Sequence, residues 1–209
     1  LFVPTAPGSP FLRPRDCHAT PTPWRRRTHP RQDAGMVTHL SEATRRAVHE
    51  NNWHAALALA LALTLPDICG RLQHPEVRSS QKRYEAWWQD WMHDAYATQG
   101  GVLLSGADAY ALRCAVLHEG RDEVVEHKAR EAISNFVFIE PVNGQGTHAG
   151  RIDSVMVLRV DAFCEDICAG VDGWVAHINA ADEAAAARAS NLMRVMRYPV
   201  TINGVYISG

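Results

Sequence analysis

One segment of this chain sets a permanent charge close to a titratable ring. In Tyr110-Ala111-Leu112-Arg113-Cys114-Ala115-Val116-Leu117-His118-Glu119-Gly120, one arginine and one histidine sit among mostly apolar residues. An unpaired buried guanidinium is costly, so a helix that packs into a core must find a use for Arg113. Its planar fork of donors stays protonated and matches the oxygens of a phosphate. His118 supplies a side chain that gains and loses a proton near neutral pH, as a general acid or base must. Together they suit chemistry at a phosphodiester. On a regular α-helix, however, residues five apart are turned by about 140° from one another. Three arrangements would reconcile this spacing with one site. The long arginine wraps round, the last turn deforms before Gly120, or a second subunit supplies its own Arg113 or His118.

Other candidates are secondary. Asp67, in the apolar stretch Leu65–Cys69, either pairs with Arg113 or orients His118. The ordinary account is preferred: Pro66 and Asp67 both suit the first turn of a helix. Glu119 is an orienting carboxylate on one account and, more ordinarily, a solvated residue at a helix end. Cys164 and Cys168 share a helical face, but no second ligand pair has suitable spacing. Core packing explains them better, and neither a metal nor a cofactor is expected. The loop Asn143–Gly150 lacks the Lys-Ser/Thr of a phosphate-binding loop, and its His148 is not taken as a ligand.

The elements that position these residues are mainly helical. Ser41 is expected to cap a polar helix reaching about Asn51. Trp53–Leu65 is a run of strong helix formers, and Pro66 must kink that helix or start a new one. The pattern continues through Ile68, Cys69 and Leu72 to His74-Pro75. Gln81–Met92 places Tyr84, Trp87, Trp88 and Trp91 on one helical face, a core or interface stripe in preference to a base-stacking surface. Gly100-Gly101 breaks the chain, and Ser105 caps a helix from Gly106 to Glu119.

After Arg130 the pattern changes. Phe136–Glu140 and Val155–Val160, rich in β-branched and aromatic residues, predict a hairpin inserted around residues 134–160. Asp161 caps or begins a helix to about Asn179, with Phe163, Ile167, Val171, Trp174 and Ile178 on one face. An Ala-rich helix Asp182–Arg197 follows. Val200–Ile207 is expected as a third strand, turning at Asn203-Gly204.

Bulk properties bound the rest. Hydrophobic content of 46% and charged content of 21% over 209 residues suit a globular body. Residues 1–35 hold seven of the eleven prolines and six arginines against two acids. They are expected to be a disordered extension, foreign to the domain or, less favoured, a native tail. The domain proper is 36–209. That remainder has 15 basic against 21 acidic side chains, which argues against coating nucleic acid but leaves room for a small basic pocket. Five cysteines without dense spacing do not make a secreted disulfide framework. Trp53–Leu65, the most apolar run, is too short to span a bilayer. With no secretory signal visible, the expectation is a cytoplasmic protein without membrane association.

The phrase Arg113-Cys114 through His118-Glu119-Gly120, the Trp53–Leu65 helix and the stretch Leu65-Pro66-Asp67-Ile68-Cys69-Gly70 together resemble the HEPN superfamily. Its motif is Arg-x(4–6)-His near a helix end, and one bacterial subfamily carries a small strand insert before the last helices. The resemblance covers residues 36–185. It implies a HEPN-like helical bundle with a small β-hairpin insert, dimerised so that two Arg/His sets converge. It also implies a metal-independent endoribonuclease, a hydrolase of toxin–antitoxin or anti-phage defence, with RNA as substrate and an antitoxin as a further partner. In such chemistry the ribose 2′-OH attacks the adjacent phosphate, leaving 2′,3′-cyclic phosphate ends. Arg113 and His118 would be catalytic, with Asp67, Glu119 and Cys114 in support. Cys114 stands where many members carry Asn, Asp or His, and Gly120 where many toxins carry Tyr. The alternatives are a catalytically inactive HEPN-like module that binds a nucleotide or partner protein, and a purely structural interaction domain using the Tyr84–Trp91 face.

Overall fold

A computed structural model describes residues 35–58, 61–119, 135–143, 146–193, 196 and 198–208, all within the unit Gln32–Gly209. The extension expected over 1–35 therefore lies outside the described residues, Gly35 excepted. Gly35, at φ 56°, starts the first helix, α1 (Met36–His49). Ser41, expected as its cap, is instead buried in mid-helix beside Thr44. The face formed by Val37, Ser41 and Thr44 packs inward, and burial outweighs the capping preference of serine. Thr44 donates back to the Leu40 carbonyl, which removes the cost of its hydroxyl.

The apolar run contributes α2 (Trp53–Ala58) and the start of α3 (Leu61–Gln73), with residues 59 and 60 outside the described residues. Pro66 lies inside α3 and neither stops nor restarts it. Proline forfeits one helical hydrogen bond, but α3 is flanked by α1 and α2 and by three helices still to come, which hold it in place. Ser79 caps α4 (Ser80–Trp91), accepting from the Lys82 amide. Its aromatic stripe is core: Tyr84, Trp87 and Trp88 are buried, and Trp91 is half-buried. A short α5 (His93–Tyr96) and a two-rung hairpin, β1 (Ala97–Thr98) with β2 (Gly101–Val102), lead to α6 (Gly106–Cys114).

The insert differs from expectation. The strands are β3 (Asn135–Ile139), β4 (Gly150–Ile152) and β5 (Val155–Arg159), in the order β3-β5-β4. β3 and β5, expected to form a hairpin, run parallel with Phe136 opposite Met156 and Phe138 opposite Leu158. The hairpin is β4 with β5, because Gly150-Arg151-Ile152 reaches β5 through the two residues Asp153-Ser154. β3 is left to the other edge, where its Phe136 is buried along with Met156 and Leu158.

The sheet feeds directly into α7 (Val160–Ala181), which carries the predicted apolar face and packs against α1, α2, α3 and α4. Asp161 does not cap it; its carboxylate accepts from Arg159 Nε at 2.7 Å. α8 (Glu183–Ser190) is capped by Asp182, which accepts from the Ala185 amide at 2.8 Å. It ends seven residues before the expected Arg197, where Ser190 and Asn191, both poor in helix interiors, close the last turn. The expected third strand is a separate hairpin, β6 (Val200–Ile202) with β7 (Val205–Ile207). Asn203 and Gly204, at φ 49° and 82°, form its tight turn. The architecture is thus mainly α with a small β insert.

Candidate functional site

Three helices meet around Arg113. α3 brings Asp67, α4 brings Ser80 and Tyr84, and α6 brings Tyr110, Arg113 and Cys114. Two glycines allow the approach. A Cβ on Gly70 would stand 2.7 Å from the Arg83 carbonyl oxygen, and one on Gly106 would stand 3.0 Å from Glu85 Cα. Ser105 fixes where α6 begins, accepting from the Asp108 amide at 3.1 Å and donating to its carboxylate at 2.9 Å. Arg113 is therefore set about two turns from a firmly capped end.

Its guanidinium forms an ion pair with Asp67, Nε to Oδ2 at 2.6 Å, each side chain 20% exposed. Nη1 lies 4.0 Å from Cys114 Sγ. The guanidinium carbon is 6.0 Å from the centre of the Tyr110 ring, one turn back on the same face. Tyr110 Oη is 3.0 Å from Ser80 Oγ. Tyr84 sets its ring against Tyr110 at 5.5 Å and 67°, and its hydroxyl is fully buried with no hydrogen-bond partner among the described residues.

The charges follow from this geometry. Burial alone would lower the Arg113 pKa, but Asp67 and Cys114 outweigh it and the net shift is upward. Arg113 is a fixed cation. Burial pushes the Tyr84 phenol well above its ordinary range, and the nearby Asp67 adds to the effect. Tyr84 is thus a donor at all ordinary pH values. Burial likewise raises Tyr110.

Beyond Cys114 the helix widens into a π turn, Ala115–Glu119. Such turns advance less per residue around the axis than α-helix does, and they occur often at functional sites. His118 and Glu119 contribute their backbone to this turn, while their side chains lie outside the described residues. Of the three arrangements allowed by the five-residue spacing, the deformed last turn is the one present in the backbone. Asp67 departs from the preferred expectation. It is the seventh residue of α3, not its opening acid, and it pairs with Arg113.

Comparison with family models, with curated proteins and with solved structures finds no match to this chain.

Ser80, Tyr84 and Tyr110 were not expected here. Tyr84 is indistinguishable by spacing from the core aromatics, but Tyr110, three residues before Arg113, was legible as a neighbour on the same helical face. The remaining candidates are accounted for elsewhere. His148 Nδ1 accepts from the Arg159 amide at 3.2 Å, so Nε2 carries the proton that faces Asp166 Oδ2 at 3.0 Å. Tyr96 donates to the same oxygen at 3.0 Å. With both ring nitrogens engaged, His148 is a clasp between the insert, α5 and α7. Cys164 and Cys168 are buried, and their thiols donate to the carbonyls of Ala56 and Ser41. Among the described residues, no group of three His, Cys, Asp or Glu could hold a metal ion, and no helix is long and apolar enough to cross a membrane.

Proposed function

We propose that this chain is a metal-independent endoribonuclease of the HEPN type. The observation that carries this reading is the setting of Arg113: a partly buried, permanently charged guanidinium, held by Asp67 at 2.6 Å, one residue short of the π turn whose backbone includes His118. In this mechanism Arg113 binds the scissile phosphate and stabilises the charge its oxygens gain as the ribose 2′-OH attacks. His118 takes the hydroxyl proton or delivers one to the leaving 5′ oxygen. Two copies of the chain form a homodimer in which both Arg113/His118 sets converge on one cleft. The setting is cytoplasmic, in toxin–antitoxin or anti-phage defence, with RNA as substrate and an antitoxin as partner.

Purified protein incubated with a panel of RNAs in EDTA tests this. Cleavage is expected to leave 2′,3′-cyclic phosphate ends, and His118→Ala is expected to slow it by about 10²-fold or more. Equal rates for His118→Ala and wild type would remove the catalytic assignment.

One observation favours a second reading, an inactive HEPN-like module that binds a nucleotide or a partner protein. Arg113 is already neutralised by Asp67 and flanked by Cys114, on a body with an excess of acids. Nucleotide binding without cleavage in the same assay would select it.

A further inference from the structure

We propose that Asp67 occupies the place of a phosphate on Arg113, and that ligands enter by exchanging phosphate for this carboxylate, with the Tyr84 hydroxyl as the second donor of the anion site. This rests on the assignment of Arg113 as a phosphate ligand and adds what controls access to it.

Three observations support the exchange. The guanidinium is engaged by a carboxylate at ion-pair distance, so an incoming phosphate meets a neutralised cation. The pair is not sealed in: both side chains are 20% exposed, and a displaced Asp67 carboxylate can be rehydrated at the rim. Finally, with Asp67 in place, the Tyr84 hydroxyl is a fully buried donor without a partner among the described residues. Such groups are costly and rare. The Tyr84 ring packs at 5.5 Å against the Tyr110 ring, and the Arg113 guanidinium carbon lies 6.0 Å from the centre of that same Tyr110 ring, so Tyr84 belongs to the cluster around the pair. A carboxylate offers two oxygens; a tetrahedral phosphate offers more, pointing in different directions. Phosphate can accept from the arginine fork and from Tyr84 together, and the carboxylate in this structure does not. Asp67 therefore holds Arg113 in place when the site is empty and sets a threshold that only a well-fitting oxyanion crosses.

The exchange is read by titrating wild type, Asp67→Asn and Tyr84→Phe with inorganic phosphate and with a 2′-deoxy dinucleotide. The latter lacks the attacking hydroxyl and so reports binding without cleavage. Asp67→Asn preserves shape and removes the competing charge, and is expected to bind both probes about fivefold tighter or more. Adding Tyr84→Phe to Asp67→Asn is expected to weaken binding about three- to tenfold. Arg113→Gln should abolish binding in either background.

If Asp67→Asn binds no tighter than wild type while Arg113→Gln still loses binding, Asp67 only positions Arg113. The exchange is then wrong, and Arg113 survives as a phosphate ligand. If no variant binds either probe, the assignment of Arg113 falls and takes the exchange with it. Tighter binding by Asp67→Asn without RNA cleavage by any variant keeps the exchange and discards the nuclease. A measurement on unmutated protein guards against a variant that fails to fold. The ¹⁵N signal of Arg113 Nε must move when phosphate saturates the wild type, and an unmoved signal overturns the exchange.

Discussion

At the scale of single residues, Arg113 is defined by the groups around its guanidinium. Here the guanidinium meets an acid on a different helix, a thiol next to it and a phenol one turn away, all at the edge of solvent. Cys114 is the half-buried thiol of this group, whereas Cys69, Cys164 and Cys168 are buried, with pKa values raised chiefly by burial. Alkylation proceeds through the exposed thiolate. In native protein, iodoacetamide is expected to modify Cys114 more than about tenfold faster than these three, as peptide mass spectrometry would show. Equal rates for Cys114 and Cys164 would mean that the packing around α7 is not as found.

At the scale of elements, the site depends on how closely α3 and α6 lie against α4. Gly70 faces the backbone of Arg83, which cannot swing aside as a side chain would. Gly70→Ala is expected to cost about 1–3 kcal/mol of stability, read as a lower urea midpoint, although alanine is the better helix former. A stabilised Gly70→Ala would show that the helices are further apart. Because Asp67 is one turn before Gly70, the same substitution is expected to disturb the Asp67–Arg113 pair. The π turn is the second element-level device. It keeps the Arg-x4-His stretch from being a regular α-helix, in which the two residues point about 140° apart.

At the scale of the whole molecule, the core rests on Trp87, Trp88, Trp174, Tyr84, Tyr96 and Phe163, all buried around α4 and α7. Large aromatic rings supply much of the apolar burial in a chain of this size. Several acidic groups are buried with them, which makes stability depend on pH in a defined direction. Burial raises the thiols of Cys69, Cys164 and Cys168 and the phenols of Tyr84 and Tyr96 above their ordinary values of 9.0 and 10.0. The unfolded chain, with ordinary values, releases these protons first, so it binds fewer protons than the folded state in alkali. The stabilisation is fully present below pH 9.0, where the unfolded thiols titrate, and is lost as pH rises beyond it. The urea midpoint is expected to fall steadily from about pH 8.5 to about pH 11. A flat profile would mean that these groups are hydrated in the folded state.

The sequence alone determined what depends on local pattern. The helical class, the cap at Ser105, the α7 face from Phe163 to Ile178 and the inward Tyr84–Trp88 stripe follow from spacing and side-chain chemistry over a few residues. Arg113 was legible in the same way, as a charge that an apolar helix had to employ. Tertiary structure decided the rest, because those choices were between locally equivalent options. Ser41 can cap a helix or be buried in one, and only the packing of α1 chose. Phe136–Ile139 can pair with Val155–Arg159 in either direction, and only the short link from β4 left the parallel edge for β3. Asp67 can open a helix or neutralise a cation 46 residues away in the sequence. Long-range pairing of charges leaves no periodic trace in the chain, so that choice became visible only when α3 and α6 were both packed against α4.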